Sequence, residues 1–261
     1  MHTLPSPRLA AEAITIGYGA APILRDVTLA VPPGRLTAII GPNGSGKSTL
    51  LRALARILKP GAGRVTLDGR PLSALGHREI ARHIAMLPQS PATPAAMNVT
   101  ELVARGRTPH LGLLRPWSAA DSAAVERALA MTHLEHLAQT PLRALSGGQR
   151  QRAWIAMALA QDCPILLLDE PTSFLDIEHQ VEVLKLLRHL AGQGRTVVCV
   201  LHEINLTARF ADRVVALRDG RIGFEGPPAQ AITEQTIRDT FGLDSVVMPC
   251  PVHGTPLVIP R

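Results

Sequence analysis

The sequence predicts an α/β fold interrupted by a helical insertion, and three observations carry that expectation. Short apolar runs of buried-strand type alternate with helices in both the early and the late part of the chain. Residues from about 98 to 160 read as helix with no strand between. A glycine-rich loop sits between an apolar strand and an amphipathic helix near the front.

In that front unit, Leu36-Thr37-Ala38-Ile39-Ile40 reads as a buried strand, and Ser48 to Ile57 as a helix burying Leu50, Leu51, Leu54 and Ile57. Between them runs Gly41-Pro42-Asn43-Gly44-Ser45-Gly46-Lys47-Ser48-Thr49, the pattern G-x-x-x-x-G-K-[ST]. Gly41, Gly44 and Gly46 let backbone N–H groups converge on an anion without interference from a Cβ. The helix start adds its unpaired N–H groups and positive dipole end. Lys47 adds a point charge for the β- and γ-phosphates, and Ser48 offers a hydroxyl to Mg²⁺. The unit predicts a nucleoside triphosphate site.

Val27, Leu29 and Val31 alternate as in a strand, Pro32-Pro33-Gly34 turns the chain, and Arg64–Leu67 is a short strand before Asp68-Gly69. A weak helix near 77–83 precedes the strand Ile84–Leu87, and proline then breaks the pattern from Pro88 to Ala96. Helices are expected over Thr100–Arg105, Ser118–Met131 and Ser146–Ala160, the last two opened by S-x-x-D and S-x-x-Q capping patterns. Strands resume at Ile165–Leu168 and Thr196–Leu201, around a helix from about Glu178 to Leu190. Arg213–Leu217 and Arg221–Phe224 flank Asp219-Gly220 as a hairpin. A helix near 233–241 and strands at Ser245–Met248 and Leu257–Ile259 complete the pattern.

Composition excludes several classes. At 261 residues with 46% apolar content the chain can bury a proper core, and no apolar run approaches the ~20 residues of a membrane span. Met1–Pro7 shows neither a basic region nor an apolar stretch, so no secretory signal is expected. Cys163, Cys199 and Cys250 are widely spaced, which fits reduced thiols and not a disulfide framework or a zinc site. The net charge of +6 fits dispersed arginines or apposition to an anionic membrane face. With aromatics at 3%, base stacking has little to work with, and no nucleic acid partner is expected.

Two further constellations carry chemistry. Ile165-Leu166-Leu167-Leu168-Asp169-Glu170 is an apolar strand ending in two carboxylates, placed for Asp169 to hold hydrated Mg²⁺ and Glu170 to polarise a water. Leu145-Ser146-Gly147-Gly148-Gln149 opens a helix with exposed N–H donors and a hydroxyl, a second anion site on one chain.

GPNGSGKST, LSGGQRQR and ILLLDEP, in this order and with Ser146 lying 23 residues before Asp169, resemble the ATP-binding cassette (ABC) ATPases over essentially the whole chain. The resemblance implies a P-loop core of 1–88 with 161–225, including an N-terminal antiparallel β region. It further implies a helical subdomain at 89–160 and a C-terminal tail at 226–261. It implies a head-to-tail homodimer, with ATP between the phosphate loop (Gly41, Asn43, Gly44, Ser45, Gly46, Lys47, Ser48, Thr49) of one copy and Ser146, Gly147, Gly148 and Gln149 of the other. Gln89 stands at the Q-loop position, where it would contact Mg²⁺ or water. His202 fits the switch histidine and Ser173-Phe174-Leu175-Asp176 the D-loop, with Phe174 in place of a smaller residue. Tyr18 fits the adenine-stacking aromatic.

A cassette with no membrane spans resembles the detached ATPase of a bacterial transporter, bound to the cytoplasmic face of the membrane through a separate permease. Thr100–His110 resembles the ELVALGRYPH segment of ATPases serving iron-siderophore, haem and cobalamin importers, and the segment 98–118 would face the permease. Trp154, Phe174–Gln180 and Leu201-His202-Glu203-Ile204-Asn205 point the same way. Pro251–Pro260 resembles the P-V-x-G-T-P-L-V-x-P ending of ferric-siderophore members. Import of an iron-siderophore complex, with cargo delivered by a binding protein, is therefore expected, with haem or cobalamin as the alternative. Coiled coils, zinc cysteines and a second cassette, the marks of DNA-repair and translation members, are missing from the sequence.

Overall fold

In the computed structural model, residues 8–17, 21–89, 97–112 and 116–261 are described. The chain divides into two compact units, residues 1–75 with 187–261, and residues 76–186.

The first unit opens with β1 (Leu9–Gly17), β2 (Pro22–Val31), β3 (Leu36–Ile40), α1 (Lys47–Leu54), β4 (Ala62–Leu67) and β5 (Arg70–Pro71). β1 pairs antiparallel with both β2 and β4, which makes the expected antiparallel β region. All five residues of β3 are buried, the signature of a parallel strand covered on both faces. Helix α1 ends earlier than the sequence predicts. Arg56 adopts φ 56°, which breaks the helical path, and Ile57 is left 61% exposed instead of joining Leu50, Leu51 and Leu54 in the core.

The second unit contains α2 (His77–Ala81), β6 (Ile84–Leu87), α3 (Val99–Ala104), α4 (Ala119–Met131), α5 (Gly147–Ala160), β7 (Ile165–Asp169) and most of α6 (Ile177–Gly192). β6 and β7 run parallel, with Leu87 opposite Leu168. α3, α4 and α5 pack on one another, and Leu102, Val103, Ala128, Ala153 and Ala156 on them are buried. Each of the three opens with a capping box, Asn98 with Glu101, Ser118 with Asp121 and Ser146 with Gln149. The box at Asn98 starts α3 one residue before the sequence-based boundary. Arg105, expected as the last residue of that helix, instead opens a 3₁₀ helix over Arg105–His110.

The first unit resumes with β8 (Thr196–Val200), α7 (Ile204–Phe210), β9 (Arg213–Arg218), β10 (Arg221–Gly226), α8 (Pro228–Ala231), α9 (Glu234–Phe241), β11 (Ser245–Pro249) and β12 (Pro256–Pro260). β3 lies between β8 and β9, parallel to both, and β10 folds back antiparallel on β9. β11 and β12 form a separate hairpin. No helix among the described residues is long and apolar enough to cross a membrane.

Candidate functional site

In the first unit the glycine-rich loop leaves the C-terminal end of β3 and enters α1. Open α/β sheets bind ligands at that edge of their strands. Gly41 holds φ 151°, and a Cβ there would sit 2.1 Å from the Leu217 carbonyl oxygen. Gly46, at φ 101°, leaves no room either: a Cβ would lie 2.7 Å from Leu24 Cδ2. Glycine is therefore required at both positions by space and by backbone conformation. Lys47 is 6% exposed, and its Nζ donates to the carbonyl oxygens of Gly41 and Pro42, both at 2.9 Å. The ammonium is thereby folded back over the loop.

Ser45 is 3% exposed and its Oγ has no hydrogen-bond partner. A buried orphan hydroxyl is costly unless a ligand or water completes it, so the loop fits an oxyanion. α1 has no side-chain cap and no acidic residue in its first turn, which leaves its N–H groups and positive dipole end to an anion. Asn43 and Gly44 are exposed at the loop tip, and Ser48 and Thr49 are half-buried in the first helical turn.

β8 is the parallel neighbour of β3, with Ile39 opposite Val200, and Leu201 N–H donates to Ile39 O at 3.1 Å. His202 therefore leaves the same edge of the sheet as the phosphate loop, exposed and just ahead of α7.

The second unit brings three of the expected residues to the C-terminal ends of β6 and β7. Asp169 closes β7 and is fully buried. Glu170 follows in the left-handed region at φ 53°, a conformation that costs a non-glycine residue and recurs where function demands it. Gln89, two residues past β6, donates from Nε2 to Glu170 Oε2 at 2.7 Å. Ser173 Oγ donates to the same oxygen at 2.8 Å.

Ser146 and Gln149 bond each other: Ser146 Oγ accepts from Gln149 N–H at 3.2 Å, and Gln149 Oε1 accepts from Ser146 N–H at 3.0 Å. Gly147 and Gly148 follow as the first helical residues of α5. A Cβ on Gly148 would come within 3.2 Å of Leu175, and Gln151 Nε2 donates to Pro171 O at 3.2 Å, so α5 is braced on the loop after Glu170.

Asp176 caps α6. It accepts from His179 N–H at 3.0 Å and contacts His179 Nδ1 at 2.6 Å, and the backbone bond first, then the ring, holds its carboxyl below the usual range. Phe174 adopts φ 64° and is 84% exposed. Tyr18 lies outside the described residues.

Sequence reasoning missed Ser173 as a partner of Glu170; its signal was a hydroxyl three residues past the carboxylate. It also missed the buried pair of Arg107 and Asp121, at 2.9 Å, in which Arg107 Nη1 also donates to Ala160 O at 2.8 Å, at the C-terminal end of α5. That cation meets the negative end of the helix dipole.

A family model described as ABC transporter matches residues 24–173. The ferric enterobactin transport ATP-binding protein FepC of Escherichia coli is 47% identical over 254 residues, 97% of this chain and 94% of that one. A hemin import ATP-binding protein of Pseudomonas putida is 41% identical over 97% of this chain and 100% of its own. Among solved structures, an inward-facing ABC transporter described as of metal-chelate type aligns with a TM-score of 0.84 at 30% identity, covering 98% of each chain. A dimeric ATP-binding cassette in a post-hydrolysis state with ADP and Pi aligns at 0.74 with 32% identity, covering 84% of this chain and 98% of that one.

Proposed function

This chain belongs to the ABC transporter family as an ATP-binding subunit, and we propose that it powers import of an iron–siderophore complex through a separate membrane permease. It is an ATPase of an importer. The observation that carries the reading of the site is the contact of Gln89 with Glu170 at the strand end, in a chain that also holds a complete phosphate loop.

In this reading the loop amides, Ser45 Oγ and Lys47 Nζ neutralise the phosphate oxygens, with Asn43 and Thr49 completing the loop. A water attacks the γ-phosphorus, Glu170 takes its proton, and the bond from the γ-phosphorus to the bridging oxygen breaks to release ADP. Gln89 and Ser173 hold the Glu170 carboxylate toward that water. His202 steadies the γ-phosphate from the same sheet edge as the loop. Ser48, Gln89 and Asp169 are oxygen donors of the kind Mg²⁺ takes, a hard ion that keeps much of its coordination for water and phosphate. When bound, that ion supplies charge neutralisation on the β- and γ-phosphates.

Two copies would close head to tail, with the N–H groups at Ser146, Gly147, Gly148 and Gln149 facing the partner's nucleotide and Tyr18 stacking on adenine. The subunit would sit on the cytoplasmic face of the membrane, with the core of 1–88 and 161–225 working on ATP and the 89–160 subdomain facing the permease. Cargo would arrive from a binding protein and never touch this chain. The 47% identity to the enterobactin subunit and the Pro251–Pro260 ending support the siderophore reading. The hemin relative at 41% identity supports the haem alternative less strongly.

The test is capture of the tagged Glu170→Gln variant from detergent-solubilised native membranes in Mg-ATP, followed by uptake of ⁵⁵Fe-siderophore or haem in cells lacking the gene. A co-purified multi-span permease and lost siderophore uptake are the expected results. Lost haem uptake alone would select the alternative, and capture of only ribosomal or DNA-bound proteins would discard the importer.

A further inference from the structure

Two segments that the sequence singled out separately, Leu201–Asn205 and the Pro251–Pro260 ending, meet in the first unit. β12 packs on α7, the helix that begins two residues after His202. Asn205, in the first turn of α7, pairs with the backbone of Val258 as a neighbouring strand would. Val258 N–H donates to Asn205 Oδ1 at 2.8 Å, and Asn205 Nδ2 donates to Val258 O at 3.2 Å.

α7 is only seven residues long, a length at which packing against neighbours, more than the helix itself, holds the first turn in place. Upstream, the end of β8 is fixed on β3 by Leu201. His202 and Glu203 thus form a two-residue bridge between a fixed strand and a helix start that the hairpin clamps.

We propose that Asn205 is a positioning residue for hydrolysis: by tying the first turn of α7 to Val258, the C-terminal hairpin sets how His202 meets the γ-phosphate. The inference rests on the role given above to His202. It assigns the hairpin a part in turnover with no contact to nucleotide.

The clamp can be opened from either side. Asn205→Leu keeps the volume and removes the amide. Val258→Pro removes the N–H from the outer edge of β12; since both backbone groups of Val258 face Asn205, no bond to β11 is lost. Both variants should lower turnover about fivefold, the scale of one net hydrogen bond, with ATP affinity and the stoichiometry of bound ATP unchanged. Asn205→Asp, which keeps the acceptor for Val258 N–H, should recover part of the rate. In a His202→Ala background, Asn205→Leu should cause no further loss.

Full turnover in both clamp variants, alongside an inactive His202→Ala, would overturn the proposal. So would a loss of turnover matched by an equal loss of ATP-binding stoichiometry, which marks a folding defect. Normal turnover in His202→Ala would instead overturn the reading of His202 itself.

Discussion

The side-chain amide of Gln89 reaches Oε2 of Glu170 across 2.7 Å, on an oxygen that Ser173 also engages at 2.8 Å. The two donors fix the carboxylate in one orientation on a backbone held at φ 53°. Glu170→Gln should retain ATP binding and lose roughly 10²–10⁴-fold in turnover, as removal of a general base does. Gln89→Ala should cost about tenfold, since a hydrogen bond to a charged group is lost while the base remains. Phosphate release under single-turnover conditions, compared with equilibrium ATP binding, separates the two effects. Near-normal turnover in Glu170→Gln would sink the assignment.

Opposed copies should assemble only when nucleotide bridges them. Mass measurement by light scattering should find Glu170→Gln monomeric without nucleotide and dimeric in Mg-ATP. Adding Ser146→Arg, which puts a bulky side chain where the helix start of α5 is otherwise open, should return the monomer. A dimer that persists in that double variant would place the contact elsewhere.

Asp121 and Arg107 predict a pH dependence of stability. The Ser118 hydroxyl bond first, and Arg107 after it, holds the Asp121 carboxyl down to about 2, from an ordinary 3.8. A depressed carboxylate stabilises the fold above its unfolded value and loses that contribution as pH falls toward the folded one. The melting temperature of the wild type should therefore drop steeply between pH 3.8 and about 2. Asp121→Asn should start lower at neutral pH and fall less over that window. Arg107→Met should be worse than the double change Arg107→Met/Asp121→Leu, because it leaves a buried charge unpaired. Parallel melting curves for wild type and Asp121→Asn in acid would refute the linkage.

The three thiols should differ in reactivity. Burial pushes the Cys199 thiol up to about 12. Cys250 is half-exposed, and the N–H groups of Val252 and His253 draw its thiol below the ordinary value. Iodoacetamide at neutral pH should label Cys250 first and leave Cys163 and Cys199 for the denatured chain, read by peptide mass spectrometry. Labelling of Cys199 before Cys250 would contradict this order.

Much of the fold was legible because its signals are local. Ile84–Leu87 and Thr196–Val200 announce themselves as apolar runs, and S-x-x-D and S-x-x-Q mark the starts of α4 and α5. The N-x-x-E at Asn98–Glu101 carries the same information, and a helix boundary set at Thr100 leaves it unused. The end of α1 was not legible, since nothing local obliges Arg56 to leave the helix. At the site, the loop positions that leave no room for a Cβ, Gly41 and Gly46, are written as glycines and so can be read. Arg107 with Asp121, and Asn205 with Val258, are partners 14 and 53 residues apart, and no periodicity in one strand or helix encodes such a meeting.

The box at the start of α5 has a thermodynamic consequence. Ser146 and Gln149 already satisfy each other's N–H groups, so two of the four N–H groups at this helix end are bonded with no ligand, and those of Gly147 and Gly148 face outward. In the proposed dimer, a phosphate arriving at the Gly147 and Gly148 N–H groups would meet a helix start already held in shape, and would displace a neutral bond only if it also took those of Ser146 or Gln149. A helix end of that kind can be taken up and released many times without unravelling between rounds.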